Sequence, residues 1–109
     1  MNEVQLLKNL GAMPTYIGYH YLLRAIQIVR DEPLALSAVK KEIYYVIADD
    51  FAVDAYTIES NIRVVLKRMW KHEQERMREL SDFRWEKRPS VSEFLCFVIM
   101  MPEDFCFSK

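Results

Sequence analysis

Between Asp54 and Trp70, apolar and polar positions recur with a helical period. Ile58, Ile62, Val65, Leu66 and Met69 fall on one stripe, whereas Tyr56, Ser60, Arg63, Lys67 and Lys71 fall on the opposite side. The spacing predicts a helix over residues 55–71, with Asp54 capping its free amides. Just upstream, Ile43, Ile47 and Phe51 repeat every four residues, which predicts a short helix over 44–51 that ends near Ala52. Two helices joined by so short a turn form a candidate helix-turn-helix, a unit that sets its second helix in the major groove of DNA.

The rest of the chain also reads as helix. Residues 3–10 form a short run with Gly11 as its stop, and Pro14 restarts the chain. From Thr15 to Arg30 the residues Tyr19, Leu22, Leu23, Ile26 and Val29 mark a core-facing helix. Asp31-Glu32-Pro33 ends it, because the residue before proline avoids the helical region. A third short helix is expected over 34–41, with Pro33 in its first turn. Residues 72–87 are charge-rich with isolated anchors at Met77, Leu80, Phe83 and Trp85, and read as a helical extension running into a loop. Ser90-Val-Ser-Glu93 fits a capping box ahead of the apolar run 94–101, which Pro102 closes. The expectation is an all-α fold of about six helices around a central helix-turn-helix, in one domain spanning residues 1–109.

Composition supports this. The 109 residues are 51% hydrophobic, enough for a core, and only two Gly and four Pro argue against the many turns of a sandwich or barrel. The formal net charge of −1 is not that of a strongly basic nucleic-acid binder. Its distribution is uneven. Residues 1–59 hold five Lys/Arg against eight Asp/Glu, residues 60–88 nine against five, and residues 89–109 one against three. The middle third can therefore present a local basic face, since screening over roughly 10 Å makes nearby charge count most. The same run also reads as an ordinary solvated helix face.

Candidate chemistry for an enzyme is sparse, and no catalytic residue, metal site or cofactor is expected. There is no Gly-rich phosphate loop, and His20 and His72 have no cysteine or serine partner in an elbow-like turn. Asp49 and Asp50 are neighbours whose side chains diverge by about 100° on a helix, which reads as an exposed acidic face. Cys96 and Cys106 read as small buried hydrophobes in a reducing cytoplasm. No basic segment followed by an apolar run marks a signal peptide, and no uninterrupted apolar stretch is long enough to span a membrane. The helix over 55–71 remains as the candidate site. Tyr56, Thr57, Glu59, Ser60 and Arg63 on its first turns would approach base edges, with Arg63 suited to the two acceptors of guanine. Lys67 and Lys71 would meet phosphate.

Several segments carry a resemblance: Gly18-Tyr-His-Tyr-Leu-Leu-Arg-Ala-Ile26, Tyr44 with Ile47-Ala-Asp-Asp-Phe51, Ile62-Arg63 with Trp70, and Pro89-Ser-Val-Ser-Glu-Phe94. In that order they resemble the C-terminal DNA-binding effector domain of the master sporulation response regulator of endospore-forming Firmicutes. Leu10 to Trp70 aligns with that family without a gap. The connection from His72 to Arg88 is shorter, and the tail after Met101 does not match. The resemblance implies an all-helical cytoplasmic transcription factor bound to double-stranded promoter DNA. It also implies paired domains on tandem sites, and the expected partner besides DNA is a second copy, as a homodimer, or a related regulator, as a heterodimer. Glu59 and Arg63 match positions on the family's recognition helix, but the family places arginines where this chain has Thr57 and Ser60. The expectation is therefore a stand-alone effector domain, without the family's receiver, whose target reading is altered or weakened. The alternative is an interaction module that kept the fold, lost DNA reading and pairs with a related regulator.

Overall fold

The first helix, α1 (Glu3–Asn9), begins at a reciprocal cap. The Gln5 amide donates to Asn2 Oδ1 at 2.9 Å and the Asn2 amide donates to Gln5 Oε1 at 3.2 Å. Gly11 stops it in the left-handed region at φ +78°. The computed structural model describes residues 2–80, 85–101 and 105, and among these every regular element is helical.

Helix α2 (Ile17–Asp31) buries Tyr19, Leu22, Ile26 and Val29 as its spacing predicts, while Leu23 is only half-buried. The segment expected as one short α-helix over 34–41 is instead two tighter and looser pieces. Pro33–Ala38 winds as a 3-10 segment and Lys40–Tyr44 as a π turn that runs straight into α3 (Tyr45–Phe51). The reason is register. Leu34 faces solvent at 76% exposure while Ala35 is buried, and the wide turn, with Tyr45 N–H donating to Lys40 O, delivers Ile43, Tyr44, Ile47 and Ala48 to the interior. Phe51, expected in the apolar stripe of α3, is 44% exposed and lies edge-on against Tyr21 with ring centroids 5.0 Å apart.

After α3 the chain turns at Ala52, a non-glycine residue at φ +57°, and the Val53 amide reaches back to Ala48 O at 3.0 Å. Asp54 then starts α4 (Ala55–His72). The helical extension expected beyond Trp70 is broken rather than continuous, and among the described residues 85–90 are the expected loop. Glu73 leaves helical geometry at φ −131°, and a separate helix, α5 (Gln74–Leu80), follows. The corner is held from outside α4. Arg76 Nη1 donates to Asn9 Oδ1 at 3.1 Å and pairs with Glu73, whose Cγ is within 3.2 Å of where a Gly11 side chain would begin. Met77 and Trp85 anchor this region in the core, whereas Phe83 and the side chain of Leu80 lie outside the described residues. Helix α6 (Val91–Met100) opens with the expected box: Glu93 N–H to Ser90 Oγ at 3.1 Å and Ser90 N–H to Glu93 Oε1 at 3.0 Å. Pro102 and Cys106 lie outside the described residues, and Cys96 is half-buried beside Met100.

One continuous apolar core joins these elements, with Leu6, Leu22, Ile26, Ile62, Leu66 and Phe94 among its fully buried side chains. The principal pairing is α2 against α4. At Gly18 the two backbones come close together: an added Cβ would collide with the Asn61 carbonyl oxygen and stand 2.7 Å from Val65 Cγ2. Glycine is the only residue that permits this approach, so residue 18 sets the spacing between the two helices.

Candidate nucleic-acid interface

Helix α4 is fixed at its start, along its back and on one flank. At the start, the Thr57 amide donates to Asp54 Oδ1 at 2.7 Å. This hydrogen bond, with one from the Thr57 hydroxyl, holds the Asp54 carboxyl below its ordinary pKa. Along the back, Ile58, Ile62, Val65, Leu66 and Met69 are all buried, as their spacing predicts. On one flank, Gly18 presses against Asn61, and the Arg68 guanidinium covers the Tyr16 ring at 4.5 Å.

The remaining face of α4 stands clear of the rest of the protein. Tyr56 is 77% exposed, the Arg63 side chain 66%, and Lys67 and Lys71 are exposed. At about 100° per residue, Ser60, Arg63, Lys67 and Lys71 all project within roughly 60° of Tyr56, one stripe about four turns long. Thr57 and Glu59 sit on the two shoulders of that stripe, at about +100° and −60°, and both are half-buried. Thr57 is committed locally, since its carbonyl also accepts from Asn61 Nδ2 at 2.8 Å. The Ser60 hydroxyl turns back onto the same carbonyl at 3.4 Å. Glu59 pairs with Arg63 one turn on. Val64, not foreseen as part of this face, is 47% exposed within it.

Charge divides the unit lengthwise. From Tyr45 to Ile62 the chain carries Asp49, Asp50, Asp54 and Glu59 and no lysine or arginine. Asp50 is partly offset by Arg24 at 3.1 Å. From Arg63 to the end of α4 every charged position is basic. The turn and first two turns of α4 therefore repel phosphate, and the last three attract it.

Sequence reasoning missed the other shoulder of α4. There Glu59, Arg63 and Leu66 form one wall of an open groove of about 670 Å³, bounded by the π turn and by residues 87–93. Burial and the Glu59 carboxylate, opposed by Arg63, push the Tyr44 hydroxyl in this groove up to about 12, so it stays neutral at physiological pH. No local spacing announces such a site, because its three walls come from distant parts of the chain. Of the side chains considered for catalysis, His20 is exposed and edge-stacked on Tyr19 at 5.1 Å, and Asp49 and Asp50 are exposed.

A compact helical domain whose helix-turn-helix presents an outward second helix is the architecture of a DNA-binding transcription-factor domain. The chain matches the family described as "Sporulation initiation factor Spo0A C terminal" over residues 4–101, nearly its whole length, and belongs to that family. No curated protein matches the chain. Membership makes this a domain of DNA-binding transcription regulation in sporulation, and the family is not one of enzymes. No helix among the described residues is long and apolar enough to cross a membrane.

Proposed function

We propose that this domain binds double-stranded promoter DNA through the outward face of α4 with altered and weakened base reading. Tyr56, Ser60, Arg63, Lys67 and Lys71 form the contact stripe, with Thr57 and Glu59 on its shoulders. The observation that carries the reading is the lengthwise division of charge along an open helix face. Lys67 and Lys71 are free to meet phosphate, while the end that would meet base edges is neutral or acidic. Thr57 and Ser60 spend their polar groups on the helix itself, and Arg63 must release Glu59 before its guanidinium fork can address a guanine. Each good bidentate base contact discriminates by about 1–3 kcal/mol, so a face with one available arginine reads few positions.

A second reading has its own support. The four acids between Tyr45 and Ile62 would suit a protein partner, such as a related regulator bound as a heterodimer, better than a phosphate backbone. One experiment separates the two. The domain is titrated with a random-sequence duplex at low and moderate salt, and bound duplexes are enriched and sequenced. Saturable, salt-sensitive binding with a short enriched motif supports DNA reading. Absence of binding at low salt, alongside complex formation with a related regulator, replaces it with the interaction reading.

A further inference from the structure

The groove beside α4 has a charge pattern that its neighbours do not explain. Four cations line it, Lys40, Arg63, Lys87 and Arg88, against two carboxylates, Glu59 and Glu93. Both carboxylates are engaged: Glu59 pairs with Arg63, and Glu93 accepts from the Ser90 amide. Among the described residues, Lys40, Lys87 and Arg88 make no ion pair. Lys40 has only the Tyr45 ring, 5.9 Å from its Nζ. All three are exposed, on segments that are far apart in sequence and brought to one opening by the fold. The start of α6 lines the same opening, and the amides of a helix's first turn lack acceptors within the helix. Like charges gathered on a concave wall repel one another unless an anion sits between them.

From this we infer that the groove is a phosphate site that seats one strand of a DNA duplex beside α4. The inference rests on the DNA-binding reading above and deepens it. Arg63 belongs to both surfaces, so a duplex placed against the stripe of α4 runs its nearer backbone along the groove. The protein then grips DNA on two lines, the weak reading face and a sequence-independent clamp supplied by the π turn and residues 87–90. That arrangement compensates for the acidic turn of the helix-turn-helix, because backbone contacts set affinity without reading sequence.

The test uses the whole chain with a fluorescent random-sequence duplex, comparing the parent with K87Q/R88Q. Both side chains are exposed, and circular dichroism checks that the fold is kept. Binding at moderate salt is expected to weaken about tenfold, and the slope of log affinity against log salt to fall by about 2. Lys8→Gln, which removes an exposed cation on α1, should leave both unchanged. If the parent binds duplex and K87Q/R88Q binds identically with the same slope, the groove is not a DNA contact, and the reading of α4 stands without it. A second arm titrates inorganic phosphate while the amide resonances of Val91 and Ser92 are followed. Shifts lost in K87Q/R88Q, in a parent that binds no duplex, overturn the DNA strand as the source and the DNA reading with it, leaving a small-anion site. No shift and no duplex binding overturn both.

Discussion

The two flanks of α4 contrast in packing and in what each leaves for function. Toward α2 the flank is closed at backbone distance, with Gly18 beneath Asn61 and Arg68 laid over Tyr16. Toward the π turn and residues 87–93 it opens into a groove lined by Lys40, Arg63, Lys87 and Arg88. The closed flank holds the helix at one height and rotation. The open flank carries unpaired charge. A domain that must present a helix to a large partner needs both, because a surface can be generous in charge only where another surface has settled position.

Substitutions can break that contrast, and their effects should fall in a clear order. Gly18→Ala attacks the closed flank. Its new methyl meets backbone atoms of Asn61 that cannot rotate away, so α2 and α4 must separate. Roughly 3 kcal/mol of stability should be lost, at the upper end for overpacking, measurable as a lower denaturant midpoint at unchanged slope. Were the midpoint to hold, the close approach would not govern the fold. Arg63→Ala attacks the open side. It should leave the denaturation midpoint nearly unmoved while reducing affinity for an enriched duplex by about 1–3 kcal/mol. A titration superimposable on the parent's would remove Arg63 from the interface.

Ala52→Gly sharpens the comparison by easing the turn that aims α4. The alanine sits at φ +57°, where an L side chain costs about 1–2 kcal/mol. Glycine gives back part of that through the freedom of its unfolded chain. The expected net gain is about 0.5–1 kcal/mol, seen as a rise in midpoint, and a loss would mean that the alanine methyl packs usefully. The smallest effect concerns pH. The Asp54 carboxyl lies below its ordinary pKa because it accepts the Thr57 hydrogen bonds. Its contribution is therefore present above the unfolded value near 3.8 and lost as pH falls through the lower folded value. Asp54→Asn keeps a capping oxygen that does not titrate. Its acid-unfolding curve should be less steep than the parent's in that range, and coincident curves would assign the sensitivity elsewhere.

Much of this is legible in the sequence itself. The buried stripe of α4, the Asp54 cap and the Ser90–Glu93 box follow from local rules, since each involves residues within one or two turns. What escaped was set by register or by distance. The sequence Pro33–Tyr44 suits any helix type, and only the need to bury Ala35, Ile43 and Tyr44 together selects a 3-10 segment followed by a π turn. The break at Glu73 carries no glycine or proline and is imposed by Asn9 and Arg76. Phe51 matched the apolar spacing of α3 yet stands half outside, because α3 ends there and its ring finds Tyr21 at the rim. On α4, spacing put all seven candidate residues near one face, but the spent hydroxyl of Ser60 and the Glu59–Arg63 pair are matters of side-chain partners. The groove that gathers Lys40, Arg63, Lys87 and Arg88 was beyond reach, being assembled from three separate parts of the chain.

The contact at residue 18 has one more consequence. A helix whose backbone already rests on its neighbour's backbone cannot recoil or roll when something large presses on its outer side. Ordering that a looser domain would undergo at the moment of docking is here completed during folding. What is left to freeze on encounter is a handful of long, wet side chains, so changes at Lys67 or Lys71 should show up in how fast complexes fall apart rather than in how the scaffold answers.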